Sequence, residues 1–151
     1  MPLSDDQLLE RFNMRQAPTR LLFKMHVLSL SSDEGHVRMR FDIGDQFCNP
    51  RGHIQGGIVT SLLVEAAAIA AIVKAGKSIY VASLELKTTF LAPAKAGVVY
   101  AEATCIKLGR SSAFMEAQLM DEQGKILAKL STSAIPVASD GKARLSEVPT
   151  A

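Results

Sequence analysis

The chain has 151 residues, of which 48% are hydrophobic and 21% are charged, a composition typical of one globular domain with an ordinary core. It excludes a chain that is disordered throughout. The 17 basic and 15 acidic residues give a formal net charge of +2 and form no Lys/Arg cluster, so we expect no nucleic-acid partner.

The N-terminal segment MPLSDDQLLERFNM predicts a short helix over about 5–14, with Ser4 as its N-cap. The segment is acidic and amphipathic, whereas a secretory signal is basic and then apolar. Cys48 and Cys105 lie in apolar surroundings without metal-ligand spacing, so we expect free thiols and no metal site. Together these features favour a cytoplasmic protein.

The next segments predict an antiparallel hairpin. After a loop at Gln16 to Thr19, the segments Leu22 to Leu30 and His36 to Ile43 alternate in hydropathy around a Ser-Ser-Asp-Glu-Gly turn. One face of the second strand is apolar and consists of Val37, Met39, Phe41 and Ile43.

A buried helix with an unusual entrance is predicted over about 55–75. The stretch NPRGHIQGGIVTSLLVEAAAIAAIV, Asn49 to Val73, begins with turn-forming residues and continues as an apolar run interrupted by Thr60, Ser61 and Glu65. The run is shorter than the roughly 20 apolar residues that cross a bilayer, and it contains a charge. We therefore interpret it as the core helix of a soluble protein that does not enter a membrane, surrounded by strands.

Four more strands are predicted after this helix, separated by turn residues: Ile79 to Phe90, Gly97 to Leu108, Ser112 to Asp121 and Ile126 to Pro136. Residues 138–151 lack periodic apolar positions and are predicted to form a loose tail, which leaves a single domain over 1–137. The element order favours an α+β fold in which a curved antiparallel sheet of about six strands wraps one long helix. Long edge strands also predict self-association through the sheet.

The entrance of the central helix is the first candidate for a functional site. Gly56 and Gly57 lie where backbone N–H groups lack intrahelical partners and the helix dipole is positive. An N–H group there could stabilise the charge on a thioester carbonyl oxygen under attack. A tight turn with close packing is the structural alternative.

Glu65 is the second candidate, because it is the only charged residue between His53 and Lys74. A buried carboxylate is either paired, exposed at an interface, or kept protonated by a raised pKa for acid/base chemistry. Asn49 and Gln55 carry amides that could orient a water or a carbonyl group, although each is equally suited to capping a loop. His53 has no paired Ser or Cys and is interpreted as a loop residue.

Four sequence motifs carry a resemblance to a known family. They are N-P-x-G-x-x-Q-G-G before the apolar helix, V-A-S-L-E-L-K-T-T-F-L-A-P-A-K-A-G after it, a G-R-S-S strand, and D-E-x-G-K-I-L-A. In combination, over about Phe41 to Val137, they resemble the hot-dog-fold acyl-CoA thioesterases of the phenylacetate-degradation (PaaI) type. The resemblance implies a helix wrapped by a curved sheet, a homodimer that shares a continuous sheet, and often a homotetramer.

The resemblance also assigns roles to individual residues. Gln55-Gly56-Gly57 is similar to the QGG form of the family motif, Asn49 to its upstream asparagine, and Ser83 to the serine on the strand after the helix. Gly57 is then the backbone oxyanion donor, and Gly56 lies against the substrate.

The position of the helix acid departs from the family pattern. The usual carboxylate lies seven positions after the second glycine, where this chain has Val64, and Glu65 is the next residue. Glu65 is rotated by roughly 80° from the Gly57 face of the helix. Three accounts stay open: Glu65 takes over the role, the site binds acyl-CoA without hydrolysing it well, or Glu65 is a second acid that remains after the first was lost. The first is favoured.

The implied activity is hydrolysis of an acyl-CoA thioester without a metal or an organic cofactor, coenzyme A being part of the substrate. Glu65 would act as general base or nucleophile, while Asn49 and Gln55 position water and thioester. Ser83 would support the carboxylate. Asn49, Gln55 and Gly57 of one subunit are expected to meet Glu65 and Ser83 of the next.

For the coenzyme A phosphates, the resemblance suggests Lys107, Arg110 and Ser111, although a solvated hairpin tip is as consistent with these residues. The acyl group is expected in an apolar pocket near Ile58, Leu62 and Phe90. The competing class is a hot-dog protein that binds acyl-CoA without catalysis, which Val64 favours. A hot-dog dehydratase is less favoured, because His53 is not followed by the proline-glycine pattern of that class.

Overall fold

A computed structural model of the chain describes residues 2–139. Within that range there are three α-helices, α1 (Asp5–Met14), α2 (Pro18–Leu22) and α3 (Gly56–Ala75), and one short 3-10 helix over Asp45–Phe47. The six strands are β1 (His26–Ser31), β2 (His36–Ile43), β3 (Ile79–Phe90), β4 (Gly97–Leu108), β5 (Ala113–Met120) and β6 (Ile126–Ala138).

The strands form one antiparallel sheet that curves around α3, in the order β1-β2-β4-β5-β6-β3. Alternate residues of β2 are buried, as its hydropathy pattern predicts: Val37, Met39, Phe41 and Ile43. From α3, the fully buried residues include Leu62, Leu63, Ala66, Ala67 and Ala70. The structure thus confirms the predicted α+β hot-dog fold, with one long helix and a six-stranded antiparallel sheet.

By length and composition α3 could cross a membrane, but half of its apolar window is buried inside the fold. Strands β2, β3, β4, β5 and β6 all contact it. The helix ends where Gly76 adopts a left-handed conformation with φ of 60°, which glycine accepts without steric cost. The apolar run is therefore the core helix of the fold, as expected.

β3 is an edge strand and exposes an unusual amount of apolar surface. Four of its large side chains are between 45% and 62% exposed, namely Tyr80, Leu84, Leu86 and Phe90. A β-bulge interrupts its pairing with β6, because Ser83 pairs with Ala134 and Glu85 pairs with Ser133. Leu84 is the extra residue of this bulge. A long exposed apolar edge of this kind favours pairing with another chain.

The prediction for residues 16–30 is wrong in one respect. The first strand begins at His26 and not at Leu22, because Pro18 starts a five-residue helix where a loop and the strand were expected. Proline suits the first helical position, since its fixed φ is helical and its missing N–H would lack a partner there. The predicted C-terminal tail lies outside the described residues from residue 140 onward; β6 itself continues to Ala138.

Candidate active site

The loop before α3 is held by the side chain of Asn49. Its Oδ1 accepts hydrogen bonds from the backbone N–H of Arg51 at 3.0 Å and of His53 at 3.2 Å. The Asn49 N–H donates to the His53 carbonyl oxygen at 2.7 Å. Asn49 therefore shapes the loop with its oxygen, and its Nδ2 group has no partner among residues 2–139.

The entrance of α3 presents two backbone N–H groups without acceptors. Gln55 is the N-cap, and its Oε1 accepts from the Ile58 N–H at 3.2 Å. The N–H groups of Gly56 and Gly57 have no hydrogen-bond acceptor in the described part of the chain. Because they lie at the positive end of a 20-residue helix, they form a site for an oxyanion.

Both glycines have a side chain packed closely against them. A Cβ atom at Gly57 would lie 2.8 Å from Oε1 of Gln55, and one at Gly56 would lie 3.1 Å from Cζ of Phe90. The missing side chains therefore allow the Gln55 cap to fold over the first turn and the Phe90 ring to approach the backbone. Phe90 belongs to β3, so the helix entrance and the edge strand meet here.

A groove of about 410 Å³ opens beside this entrance. Asn49, His53 and Gly56 lie along it, and its apolar walls are Ile54, Val59, Phe90, Leu91, Ala92, Pro93, Ala94 and Leu127. An apolar groove next to unpaired N–H groups suits a carbonyl compound with an apolar substituent. Of the residues predicted to line an acyl pocket, Phe90 is here and Ile58 is half-buried, whereas Leu62 lies fully in the core and is inaccessible to a ligand.

Glu65 lies two helical turns beyond this entrance, about 12 Å along the axis from Gly57. Burial raises the pKa of its carboxyl group, and the positive charge of Arg20 opposes that shift. Within residues 2–139 the carboxylate makes no hydrogen bond or ion pair; the one ion pair in that range joins Arg38 and Glu102 at 2.8 Å. Glu65 is therefore a desolvated acid without a bonded partner, and the structural salt bridge is not formed.

Arg20 on α2 is the charged group that faces Glu65, and it was not anticipated from the sequence. Its side chain is 8% exposed, and Nη2 donates to Asn13 Oδ1 at 3.0 Å and to the Met25 carbonyl oxygen at 3.2 Å. Burial lowers the pKa of Arg20, and the Glu65 charge opposes that shift. The two hydrogen bonds fix the position of the Arg20 guanidinium. Its proximity to Glu65 could not be predicted from the sequence, because the two residues are 45 positions apart.

The face of α3 that carries Gly57 has no acid. Val64 lies on this face and is half-buried, and Ser61 donates through Oγ to the Gly57 carbonyl oxygen at 2.9 Å. One residue earlier, the Oγ1 atom of Thr60 is 2.8 Å from that of Thr88 on β3, which ties the helix to the edge strand.

The remaining predicted residues lie elsewhere in the subunit. Ser83 is exposed on β3, about 16 Å along the strand from Thr88. Lys107 and Ser111 are exposed where β4 turns into β5. Arg110 lines a hollow of about 490 Å³ with Lys74 and Lys77, at the end of α3 opposite to Gly57. A single subunit therefore brings Asn49, Gln55, Gly56 and Gly57 together, but not the other candidates.

Comparison with known sequences gives one family. Residues 51–128 match the sequence model of the thioesterase superfamily. The 1,4-dihydroxy-2-naphthoyl-CoA hydrolase of Listeria monocytogenes is 30% identical over 98 residues, which are 65% of this chain and 80% of that protein.

Many solved structures share this fold, and three of them illustrate the likeness. The Escherichia coli PaaI protein from the phenylacetic acid degradation operon has a TM-score of 0.76 at 17% identity, over 87% of this chain and 92% of that one. A phenylacetic acid degradation-related protein of Ralstonia eutropha has a TM-score of 0.74 at 23% identity, over 85% and 98%. A Streptococcus mutans protein bound to acetyl CoA has a TM-score of 0.68 at 17% identity, over 76% and 90%. At these identities the likeness shows a common fold.

Proposed function

Because this chain belongs to the thioesterase superfamily, we propose that it hydrolyses an acyl-CoA thioester to the free acid and coenzyme A. Thioester hydrolysis is the activity of the superfamily, and the acyl-CoA substrate and the residue roles are our proposal. The observation that carries it is the pair of unpaired N–H groups on Gly56 and Gly57 beside an apolar groove. This arrangement suits a thioester carbonyl with an apolar acyl group.

Gly57 supplies the oxyanion donor. The thioester carbonyl oxygen accepts a hydrogen bond from the Gly57 N–H, and negative charge that develops on this oxygen is stabilised at the helix N-terminus. Gly56 allows the Phe90 ring to pack against the backbone, and both residues line the groove proposed for the substrate. The Nδ2 group of Asn49, which has no partner among the described residues, is available to hold the attacking water or the thioester, and Gln55 keeps the first turn in place.

Glu65 is the general base in this mechanism. Its carboxylate takes a proton from water as the water oxygen attacks the thioester carbon. The C–S bond then breaks, and the protonated Glu65 returns the proton to the sulfur, so that coenzyme A leaves as a thiol. Direct attack by the carboxylate, through an acyl anhydride that water hydrolyses, is the other route. An unpaired and desolvated carboxylate supports a catalytic role, because a structural acid would have been expected to form an ion pair.

Two subunits build each site in this proposal. Antiparallel pairing of two β3 edges about a two-fold axis places the two α3 helices antiparallel to each other. If that axis passes at the level of Ser61, Gly57 of one helix is level with Glu65 of the other. The exposed apolar side chains of β3 support such a homodimer. The family resemblance assigns Ser83 to the support of the acid, but Ser83 lies about 16 Å along β3 from Thr88, which is level with Thr60, so this axis does not bring it to Glu65. Further association gives a homotetramer.

The coenzyme A phosphates are assigned to Lys107, Arg110 and Ser111. Lys74 and Lys77 lie with Arg110 around one hollow, so three cations are concentrated there. This hollow is at the C-terminal end of α3, which the antiparallel arrangement of the dimer turns toward the other subunit. The protein works in the cytoplasm and requires no cofactor beyond its substrate.

An assay of thiol release from acetyl-, decanoyl-, palmitoyl-, phenylacetyl- and benzoyl-CoA tests the activity. We expect hydrolysis of at least one ester, lost in Glu65→Gln by roughly 10²–10⁴-fold. If no ester is cleaved, or if Glu65→Gln retains full activity, the proposal fails.

A second candidate function, binding of acyl-CoA without catalysis, is favoured by Val64 at the usual acid position. In that case calorimetry would detect binding of acyl-CoA, whereas the assay would detect no release of free thiol. Val64→Asp would then gain hydrolytic activity, because the new carboxylate lies on the Gly57 face of the helix.

A further inference from the structure

A second hollow lies between α1 and the C-terminal end of α3. Its volume is about 470 Å³, and its floor is apolar, formed by Leu3, Leu8, Phe12, Ile72 and Ile79. Sites for small molecules commonly have volumes of about 300–1,000 Å³. Since α3 is about 30 Å long, this hollow is separate from the groove at Gly56 and Gly57.

The rim of this hollow is positively charged and unpaired. Three cationic side chains line it, Arg11, Arg15 and Lys77, and no acidic residue does. None of the three forms an ion pair or a side-chain hydrogen bond within residues 2–139. Basic groups at helix C-termini also offset the helix dipoles. That effect, however, does not require three of them to surround one apolar floor.

The two arginines suit a carboxylate. Arg11 and Arg15 are four residues apart at the end of α1, a spacing that puts their side chains on one face of a helix. Guanidinium groups bind carboxylates through two parallel N–H···O bonds, whereas an uncharged head group would gain no charge-assisted bond from these two exposed arginines. The apolar floor next to them accepts a single alkyl chain.

We propose that this hollow binds a free fatty acid, with the alkyl chain on the apolar floor and the carboxylate between Arg11 and Arg15. The binding involves no covalent step and goes beyond thioester hydrolysis. It gives the protein a second small-molecule site at the opposite end of α3 from the oxyanion site.

Calorimetric titration with decanoate tests this proposal. We expect one decanoate per subunit, with affinity reduced roughly three- to tenfold in Arg11→Ala and in Arg15→Ala. Lys125→Ala, which removes an exposed charge from the turn between β5 and β6, is expected to bind like the unmodified chain. Equal binding of decanol, or unchanged affinity in both arginine variants, overturns the proposal.

A blocking variant locates the bound molecule. Ile72→Trp fills the floor of the hollow and is expected to abolish decanoate binding, whereas a thermal melt monitors its folding. Lys77 lines both this hollow and the hollow assigned to the coenzyme A phosphates, so the competitor must carry no phosphate. A non-hydrolysable acyl thioether of pantetheine, which has none, is expected not to displace decanoate. Displacement would put decanoate in the groove at the α3 entrance and refute the second site. Because no turnover is measured, the result is independent of the proposed thioesterase activity.

The C-terminal segment of the chain is the competing occupant. Ser139 donates from its N–H to the Ser78 carbonyl oxygen at 3.2 Å, and Ser78 lies on the rim of the hollow. A variant that ends at Ser139 is expected to bind decanoate as tightly as the full chain. If only the shortened chain binds it, the segment fills the hollow and the proposal is wrong.

Discussion

At the scale of single residues, replacing Glu65 by a neutral side chain should raise the stability of the fold and lower its catalytic activity. Burial raises the pKa of its carboxyl group in the folded state. The folded chain therefore holds this proton more tightly than the unfolded chain, and stability falls as pH rises through the folded pKa. A buried carboxylate that lowers stability and has no bonded partner is typical of a catalytic site.

The first prediction follows from this sign. Glu65→Gln raises the melting temperature at pH 8, because the cost of the buried charge is removed, while thiol release falls by roughly 10²–10⁴-fold. At a pH low enough to protonate Glu65, the difference in melting temperature disappears. Glu102→Gln is the control: it removes the 2.8 Å ion pair with Arg38 and is expected not to raise the melting temperature. A melting temperature of Glu65→Gln that is lower than that of the unmodified chain at pH 8 contradicts this account.

The second prediction concerns Arg20, the one charged residue found to act on Glu65 from another element. Arg20→Gln removes the positive charge that favours the carboxylate, so the pKa of Glu65 rises further. The acidic limb of the pH profile of kcat/KM then moves to higher pH. Arg20→Lys keeps the charge and should leave the limb near its original place.

Arg20→Lys still lowers stability, because the fork that binds Asn13 and the Met25 carbonyl is lost. Arg40→Gln on β2 removes a charge that does not act on Glu65 and serves as the control. An unmoved acidic limb in Arg20→Gln would show that Arg20 has only a structural role.

The sequence pointed to Glu65 because a lone acid stands out in an apolar helix. It could not point to Arg20, because only tertiary packing brings α2 to α3.

At the scale of elements, the strands after α3 were predictable and the segment before β1 was not. β2, β3 and β4 have the predicted bounds, since period-two alternation and turn residues define them. The apolar run Leu21-Leu22-Phe23 carries no such alternation, and it is divided between a short helix and its end. A strand and a short helix are not distinguishable from an apolar run of that length.

The entrance of α3 gives the third prediction. Gly57→Ala keeps the N–H group, but its Cβ displaces Oε1 of Gln55, which lies 2.8 Å away. Stability should change by less than about 1 kcal/mol, because a lost cap offsets the better helix propensity of alanine. Activity should fall roughly ten- to a hundredfold if the first turn shifts. In a Gln55→Ala background the same substitution should have little further effect, and an additive loss would refute the steric explanation.

At the scale of the whole molecule, the candidate site is incomplete in one subunit. The helix entrance, the groove and Asn49 lie together, whereas Ser83 and Arg110 lie far from Gly57. The sequence motifs predicted these residues by resemblance, and the family and the fold are confirmed. The sequence pattern of β3 does not say whether a second copy covers this strand, and the structure adds that several of its large apolar side chains are exposed.

The last prediction tests that edge. Leu84→Lys/Leu86→Lys places two like charges on β3, and in a two-fold pair these charges would repel across the interface. We expect light scattering to give the 16.2 kDa mass of one chain, against at least twice that mass for the unmodified protein. Thiol release should fall by roughly 10² or more, because catalytic groups of the second subunit are lost.

Ile106→Lys is the matched control for this variant. Ile106 is 55% exposed on β4, an interior strand, so a charge there leaves the β3 edge unchanged. This variant should keep the dimer and its activity. If the double variant is a folded monomer with full activity, each subunit carries a complete site, and the acid must reach Gly57 within one chain. Because Glu65 and Gly57 are about 12 Å apart along a rigid helix, that outcome would exclude Glu65 as the base.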